Sequence, residues 1–366
     1  MAINLNQPVK PNLQNLTKYL EQVNNSSWYT NFGPLHQQLT KRLEEYLGVS
    51  NLLLVSNGTL ALQVAYKALG ITNALTTPFS FVATASSLIW ENIEISFSDI
   101  DKDSYNLCPE MAELAISLDS NIDAIVATHV YGNPCNVVAF DQVANRHDVK
   151  IIYDAAHAFG VNVGDQSVLN FGDASTLSFH ATKVFHTVEG GAIVFKHKAD
   201  FERAKRLINF GIDTTNGAIT EAGINAKLNE YQCAVGLTIL DDIENVIAHR
   251  KKLFNAYRDG LQFIVEMPAW HKQANFNGAY MPIKLQDIEQ RNLIESVLKE
   301  HGVQCRRYFT PSLQSIFNDK KVFSEQHSLS LAENVLCLPL HYYMSIDDVE
   351  SVTLLIRKQL SKGSVV

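Results

Sequence analysis

From residue 52 onward the chain alternates short apolar runs with stretches of helical periodicity, and no other feature limits its fold so tightly. The run "LLLV" at 52–55 passes through "SNGTLALQVAYKAL", a turn feeding a helix. Further strands are expected at 74–77, 93–97, 124–128 and 150–153, with helices near 82–90, 110–117 and 139–145 between them. Strands spaced by such helices predict a layered α/β domain around a mostly parallel sheet. Two helices, 12–22 and 35–47, come before it; in the second, Leu35, Leu39, Leu43 and Leu47 share one face. After Phe195 the pattern loosens into a helix, the glycine-bearing loop "FGIDTTNGAITEAGIN" and one long helical region over 230–257. The rest mixes strands at 279–283 and 335–338 with helices at 288–301 and 346–358. The expected division is a large α/β domain, residues 1–245, and a smaller α+β domain, residues 246–366.

Charge and cysteine usage remove several function classes. A formal charge of −8 offers no basic field for DNA or RNA, and "HRKK" and "RRY" are too short to reverse it. The five cysteines are scattered and odd in number, so neither a disulfide framework nor a zinc site is expected. The N-terminus lacks a basic segment followed by an apolar run, and apolar stretches break before the roughly 20 residues of a membrane helix. A cytoplasmic chain with no nucleic-acid or membrane partner is the expectation. No P-loop, GxGxxG, HExxH or GxSxG motif is present.

Three stretches carry chemistry. In "SNGTLAL" a strand ends, Gly58 eases the turn, and a helix opens near Thr59; its free N–H groups suit a phosphate, though Asn-Gly is also an ordinary turn. In "IIYDAAHAFG" a strand delivers Asp154 to its carboxyl end, with His157 three residues on. A carboxylate there either caps a helix or holds a ring nitrogen protonated. In "LSFHATKVFHTVEGG" Ser178 ends a strand and Lys183 follows a framed loop; a lysine is either a solvated charge or a positioned amine. Together, an anion turn, a carboxylate and a lysine are the parts needed to bind pyridoxal 5′-phosphate as a Schiff base.

The chain resembles the DegT/DnrJ/EryC1/StrS family of sugar aminotransferases, of the aspartate-aminotransferase-like fold (type I). The resemblance runs through "WYTNFGP", "SNGTLAL", "TTPFSFVATA", "YDAAHAFG", "SFHATKVFHTVEGGA", "GINAKLNEYQCAVG" and "RRYFTP", in that order. It implies that Lys183 holds the cofactor covalently, that Asp154 pairs with the pyridine nitrogen, and that His157 lies near the phenolic oxygen. It also implies phosphate contacts from Gly58, Thr59 and Ser178, an aromatic cover from Phe81, and a phosphate contact from Asn225 lent by a partner subunit. An obligate homodimer follows. Lys227 stands where many relatives carry arginine, and lysine lacks the planar fork. Phe81 and Phe179 are expected to keep Lys183 in a dry pocket, Phe179 serving otherwise as core.

The substrate side is read from the same resemblance. "HATKVFHTVEGG" is similar to enzymes that aminate C4 of a nucleotide-linked 4-keto-6-deoxy sugar, and dTDP-4-keto-6-deoxy-D-glucose with L-glutamate is the expected pair. The resemblance also implies a place in lipopolysaccharide O-antigen synthesis. Thr30, His186, Glu189 and Tyr308 are candidate substrate contacts, and Arg306 and Arg307 either meet the diphosphate or face solvent. The glycines beside Glu189 suggest close approach to a ligand or another subunit. Alternatives are a C3 aminotransferase, whose relatives carry a proline-glycine pair before the lysine, and a pyridoxamine-phosphate-dependent dehydratase, whose relatives have histidine in place of Lys183. A non-catalytic cofactor-binding protein is the third.

Overall fold

The structure is a computed structural model, and it describes residues 2–362. In chain order its strands are β1 (Leu52–Val55), β2 (Asn73–Thr76), β3 (Glu94–Phe97), β4 (Ala124–Thr128) and β5 (Lys150–Asp154). A small hairpin, β6 (Asn162–Val163) and β7 (Gln166–Ser167), precedes β8 (Ala174–Ser178) and β9 (Gly191–Phe195). The later chain adds β10 (Met281–Lys284), β11 (Lys321–Val322) and β12 (Val335–Leu338). Eight of them form one sheet in the order β1-β9-β8-β5-β4-β2-β3-β11. Every pairing in it is parallel except the two made by β9.

Because strand side chains alternate, one run of apolar residues serves two cores. Leu52 and Leu54 face the cluster that holds Leu35, Leu39 and Leu43, while Leu53 and Val55 face the helix Gly58–Leu69. A buried carboxylate ties the first layer together: Glu230 accepts from the N–H groups of Leu35 and His36, both at 2.8 Å. It thereby caps the helix Pro34–Leu47, whose N-cap Gly33 has no side chain to do so. A Cβ on Gly33 would lie 2.7 Å from the Glu230 carboxyl carbon, so a side chain there would push the capping carboxylate aside.

The region 230–257, expected as one helix, is two: Glu230–Leu240 and Ile243–Leu261. The break falls at Asp241 and Asp242, where Asp241 turns out to pair with Arg42 at 2.7 Å. The second helix crosses the expected domain boundary. Its Ile243, Val246 and Ile247 pack into the large core, and its Leu253, Phe254, Tyr257 and Leu261 into a third cluster with Met281 and Leu338. The C-terminal part is not confined to its own layer either, since β11 extends the large sheet beside β3. The N-terminal residues run the other way. Ile3 bridges Val303, Leu5 accepts at its carbonyl from the Leu340 N–H, and Asn6 Nδ2 donates to the Thr182 carbonyl at 2.5 Å.

Candidate active site

The carboxyl ends of β5 and β8 and the start of the helix Gly58–Leu69 meet at one cavity of about 350 Å³. This is the crevice where parallel strands end and helix N-termini begin, the place open α/β sheets reserve for ligands. Gly58, Thr59, Phe81, Asp154 and His157 line it, as do Ser178, Lys183, Glu189 and Tyr308. Nine of the positions singled out in the sequence are thus brought to one cavity.

At the helix start, Asn57 caps through its side chain to Leu60 N at 2.8 Å. Among the described residues the N–H groups of Gly58 and Thr59 have no hydrogen-bond partner. A Cβ on Gly58 would lie 2.7 Å from the Ser178 Cβ, so only glycine lets β8 approach the turn this closely. Two free N–H groups, a serine hydroxyl and a helix dipole form a seat for a dianion.

Asp154 ends β5 and is buried, at 6% exposure. Its Oδ2 accepts from Thr84 Oγ1 at 2.7 Å and its Oδ1 from Ala156 N–H at 3.1 Å. Burial pushes its carboxyl above the usual range, while Thr84, Ala156 and the Lys183 charge all favour the ionised form. His157 is buried against Phe309, whose ring stacks on it with an interplanar angle of 3°, and against Tyr280. Burial and the Lys183 charge hold its pKa well below the usual imidazole range, so the ring is neutral. Its Nδ1 is buried without a partner among the described residues. Lys183 Nζ likewise has none, and burial lowers its pKa from 10.5 to about 8 against the pull of Asp154.

These groups fit pyridoxal 5′-phosphate. The cradle at Gly58 matches its phosphate, Asp154 its basic ring nitrogen, the unpartnered His157 nitrogen its polar ring substituent, and the unpaired amine its aldehyde.

Other expected residues lie elsewhere. His186 does not reach the cavity: it is 3% exposed, its Nε2 donates to the Val9 carbonyl and its Nδ1 accepts from Val188 N–H. Its role is to fasten the N-terminal segment, which corrects the expected substrate contact. Phe179 is fully buried in an edge-to-face set with Phe159 and Phe185, one residue out of phase with cavity-facing Ser178, so Tyr280 and Phe309 form the apolar wall instead. The Gly190 and Gly191 pair makes its close approach within the chain, where a Cβ on Gly191 would lie 2.7 Å from the Asn57 carbonyl.

Arg307 is held by Glu295 and Asn292, whereas Arg306 shares no such pair and lines two flanking pockets of about 480 and 210 Å³. Lys227 Nζ donates to Asn209 and sits 5.0 Å over the Phe210 ring. Thr30 and Asn225 are exposed and do not line the Lys183 cavity. Thr84, Tyr280 and Phe309 escaped the sequence reading. Thr84 and Phe309 sit inside "TTPFSFVATA" and "RRYFTP" but carry no signal of their own there, and Tyr280 falls outside every motif, so only the fold brings it to Asp154 and Lys183.

Known proteins are similar to this chain over nearly all its length. The model of the DegT/DnrJ/EryC1/StrS aminotransferase family matches residues 12–357. A dTDP-4-amino-4,6-dideoxy-D-glucose transaminase of Shigella dysenteriae is 41% identical, the match covering 96% of this chain and 97% of that protein. The transaminase of the same description from Escherichia coli is 35% identical, over 97% and 98%. Among solved structures, DesI in the presence of its TDP-sugar product superposes with a TM-score of 0.92 at 31% identity, covering 99% of this chain and 94% of that one.

Proposed function

The chain belongs to the DegT/DnrJ/EryC1/StrS aminotransferase family, and from that premise we propose that it places an amino group on C4 of dTDP-4-keto-6-deoxy-D-glucose, with L-glutamate as donor. The observation that carries the chemistry is the unpaired, half-buried Lys183 amine sharing a cavity with Asp154 and the Gly58 turn. The sugar and its position are supported by the 41% and 35% identical transaminases named for that 4-amino sugar.

Pyridoxal phosphate, when bound, supplies the electron sink that lets an amine pass from one carbonyl carbon to another. The chain's own groups do the rest. Gly58 and Thr59 N–H groups and the Ser178 hydroxyl hold the phosphate, and Asp154 keeps a negative charge opposite the ring nitrogen so that its proton stays. His157, neutral, offers a hydrogen bond without adding charge. Lys183 would hold the cofactor through Nζ, and its free amine would be the group placed to take up and return a proton on that atom. The Tyr280 and Phe309 rings exclude water and favour the free amine. Arg306 is the arginine free to meet a diphosphate, since Arg307 is already paired.

A homodimer is part of this proposal, and it is supported by Thr30 and Asn225 being exposed and outside the lining of their own chain's Lys183 cavity. If each site borrows Asn225 from its partner, mixing Lys183→Ala with Asn225→Ala subunits restores about a quarter of the wild-type sites. No recovery after proven exchange refutes sharing. No described helix is long and apolar enough to cross a membrane, and a cytoplasmic enzyme is proposed. The deciding assay offers dTDP-, UDP- and GDP-linked 3-keto and 4-keto sugars with glutamate and locates the new C–N bond by NMR. Amination at C3 without turnover of 4-keto sugars overturns the position. Preference for UDP or GDP overturns the nucleotide.

A further inference from the structure

Asp154 is the end of a line of buried hydroxyls. Thr84 Oγ1, 2.7 Å from Asp154 Oδ2, lies 2.9 Å from Ser80 Oγ, and that oxygen lies 3.0 Å from Thr128 Oγ1. Thr84 is 0%, Ser80 2% and Thr128 1% exposed. They come from three places: the helix Ala83–Trp90, the turn before it, and the last residue of β4, which pairs in register with Asp154. Each hydroxyl has one proton to give, so the direction of the line is determined from its end. A carboxylate only accepts. Thr84 therefore spends its proton on Asp154, Ser80 donates to Thr84, and Thr128 donates to Ser80. The three dipoles run head to tail toward the carboxylate, an arrangement in which each bond strengthens the next.

We infer that Thr84, backed by Ser80 and Thr128, is a positioning residue that keeps Asp154 ionised and fixed for the cofactor's ring nitrogen. This rests on the role proposed above for Asp154. Burial alone favours the protonated acid, which would meet the ring nitrogen with a neutral hydroxyl. The titratable groups around Asp154 are Lys183, His157, Tyr280 and Tyr66. Of these only Lys183 is a cation, and its charge is spent once its amine binds the cofactor. The neutral His157 and the two phenols cannot replace it. From that point the protein's support for the Asp154 charge comes from the hydroxyl line and the Ala156 N–H.

The test uses Lys183→Ala apoprotein as the parent, which removes the lysine charge, and pyridoxamine 5′-phosphate, which needs no bond to the lysine, with the dissociation constant measured by calorimetry from pH 5 to 8. Thr84→Val keeps the shape and removes the proton; it is expected to weaken binding about tenfold at pH 7. The acid-side loss of binding should move up by about one pH unit. Thr84→Ser should restore both. Ser80→Ala should weaken binding about threefold alone and add nothing in the Thr84→Val background, since it acts through Thr84. A folded Thr84→Val with the parent's affinity and pH profile overturns the inference if Asp154→Asn still weakens binding in that background. Binding equal to the parent's by Asp154→Asn refutes the reading of Asp154 itself. If Thr84→Val does not fold, an unchanged profile in Ser80→Ala overturns the inference.

Discussion

The acidity of Lys183 is the quantity on which this site turns. An amine must shed its proton to attack a carbonyl carbon, and burial brings its pKa from 10.5 to about 8. At pH 7 the free base is then about one molecule in ten, against about one in three thousand for an unperturbed lysine, a gain of about 300-fold. Asp154 works against this gain, because a nearby negative charge favours the ammonium. Neutralising it with Asp154→Asn should therefore lower the Lys183 pKa below 8, making the apoprotein amine more reactive while the cofactor loses its ring partner. Trace acetylation of apoprotein between pH 6 and 11, with the Lys183 peptide quantified by mass spectrometry, reads the midpoint directly. A wild-type midpoint near 10.5, or one that rises in Asp154→Asn, refutes the reasoning. The same shift has a sign in folding. The folded pKa is depressed, so the cost of burying the ammonium is full below about pH 8 and fades as pH rises toward 10.5. Urea unfolding of the apoprotein should show that gain, and Lys183→Met should remove it.

Other expectations are simpler. His157, held neutral by burial and the Lys183 charge, should show no imidazole titration by NMR between pH 5 and 8; an inflection near 6.5 contradicts the packing against Phe309. Gly58→Ala forces a Cβ to 2.7 Å from Ser178, and should weaken cofactor retention on dialysis about tenfold or more; retention equal to wild type removes the turn from the phosphate seat. Glu230→Gln replaces one of two acceptors at the start of the helix Pro34–Leu47 with a donor, and should cost about 1.5–3 kcal/mol in denaturant unfolding. An unchanged midpoint means that the cap is not needed. Arg306→Ala should raise KM for the nucleotide sugar about tenfold or more, and Arg307→Ala much less; the reverse order reassigns the diphosphate contact.

Much of this was legible because the relevant signals are local. The apolar runs at Leu52–Val55, Ala124–Thr128 and Val335–Leu338 are strands to the residue, since a buried strand needs little more than a short run of β-favouring residues. The cavity groups Asp154, Lys183 and Gly58 stood out because each follows a strand end or opens a helix, where chemistry collects. What stayed hidden depends on partners distant in sequence. β11 is two residues long and has no periodicity; its pairing with β3 exists only in three dimensions. His186 and Arg307 look available as residue types, and nothing nearby in sequence announces Val9 or Glu295 as their partners. Phe179 differs from Ser178 by one step of strand alternation, and that step decides core against cavity.

The N-terminal segment has a consequence for how the molecule is made. Its Leu5 bonds to Gln304 and Leu340, and its Lys10 N–H to the Tyr343 hydroxyl. These residues follow it by roughly 300 positions, so that part of its docking waits until they have been made. Asn6 also braces Thr182, and Val9 accepts from His186, which ties the loop on either side of Lys183 to the same segment. The lysine loop is thus fastened to a strap whose other anchors are synthesised late, and the cofactor seat is braced in full only after those anchors exist.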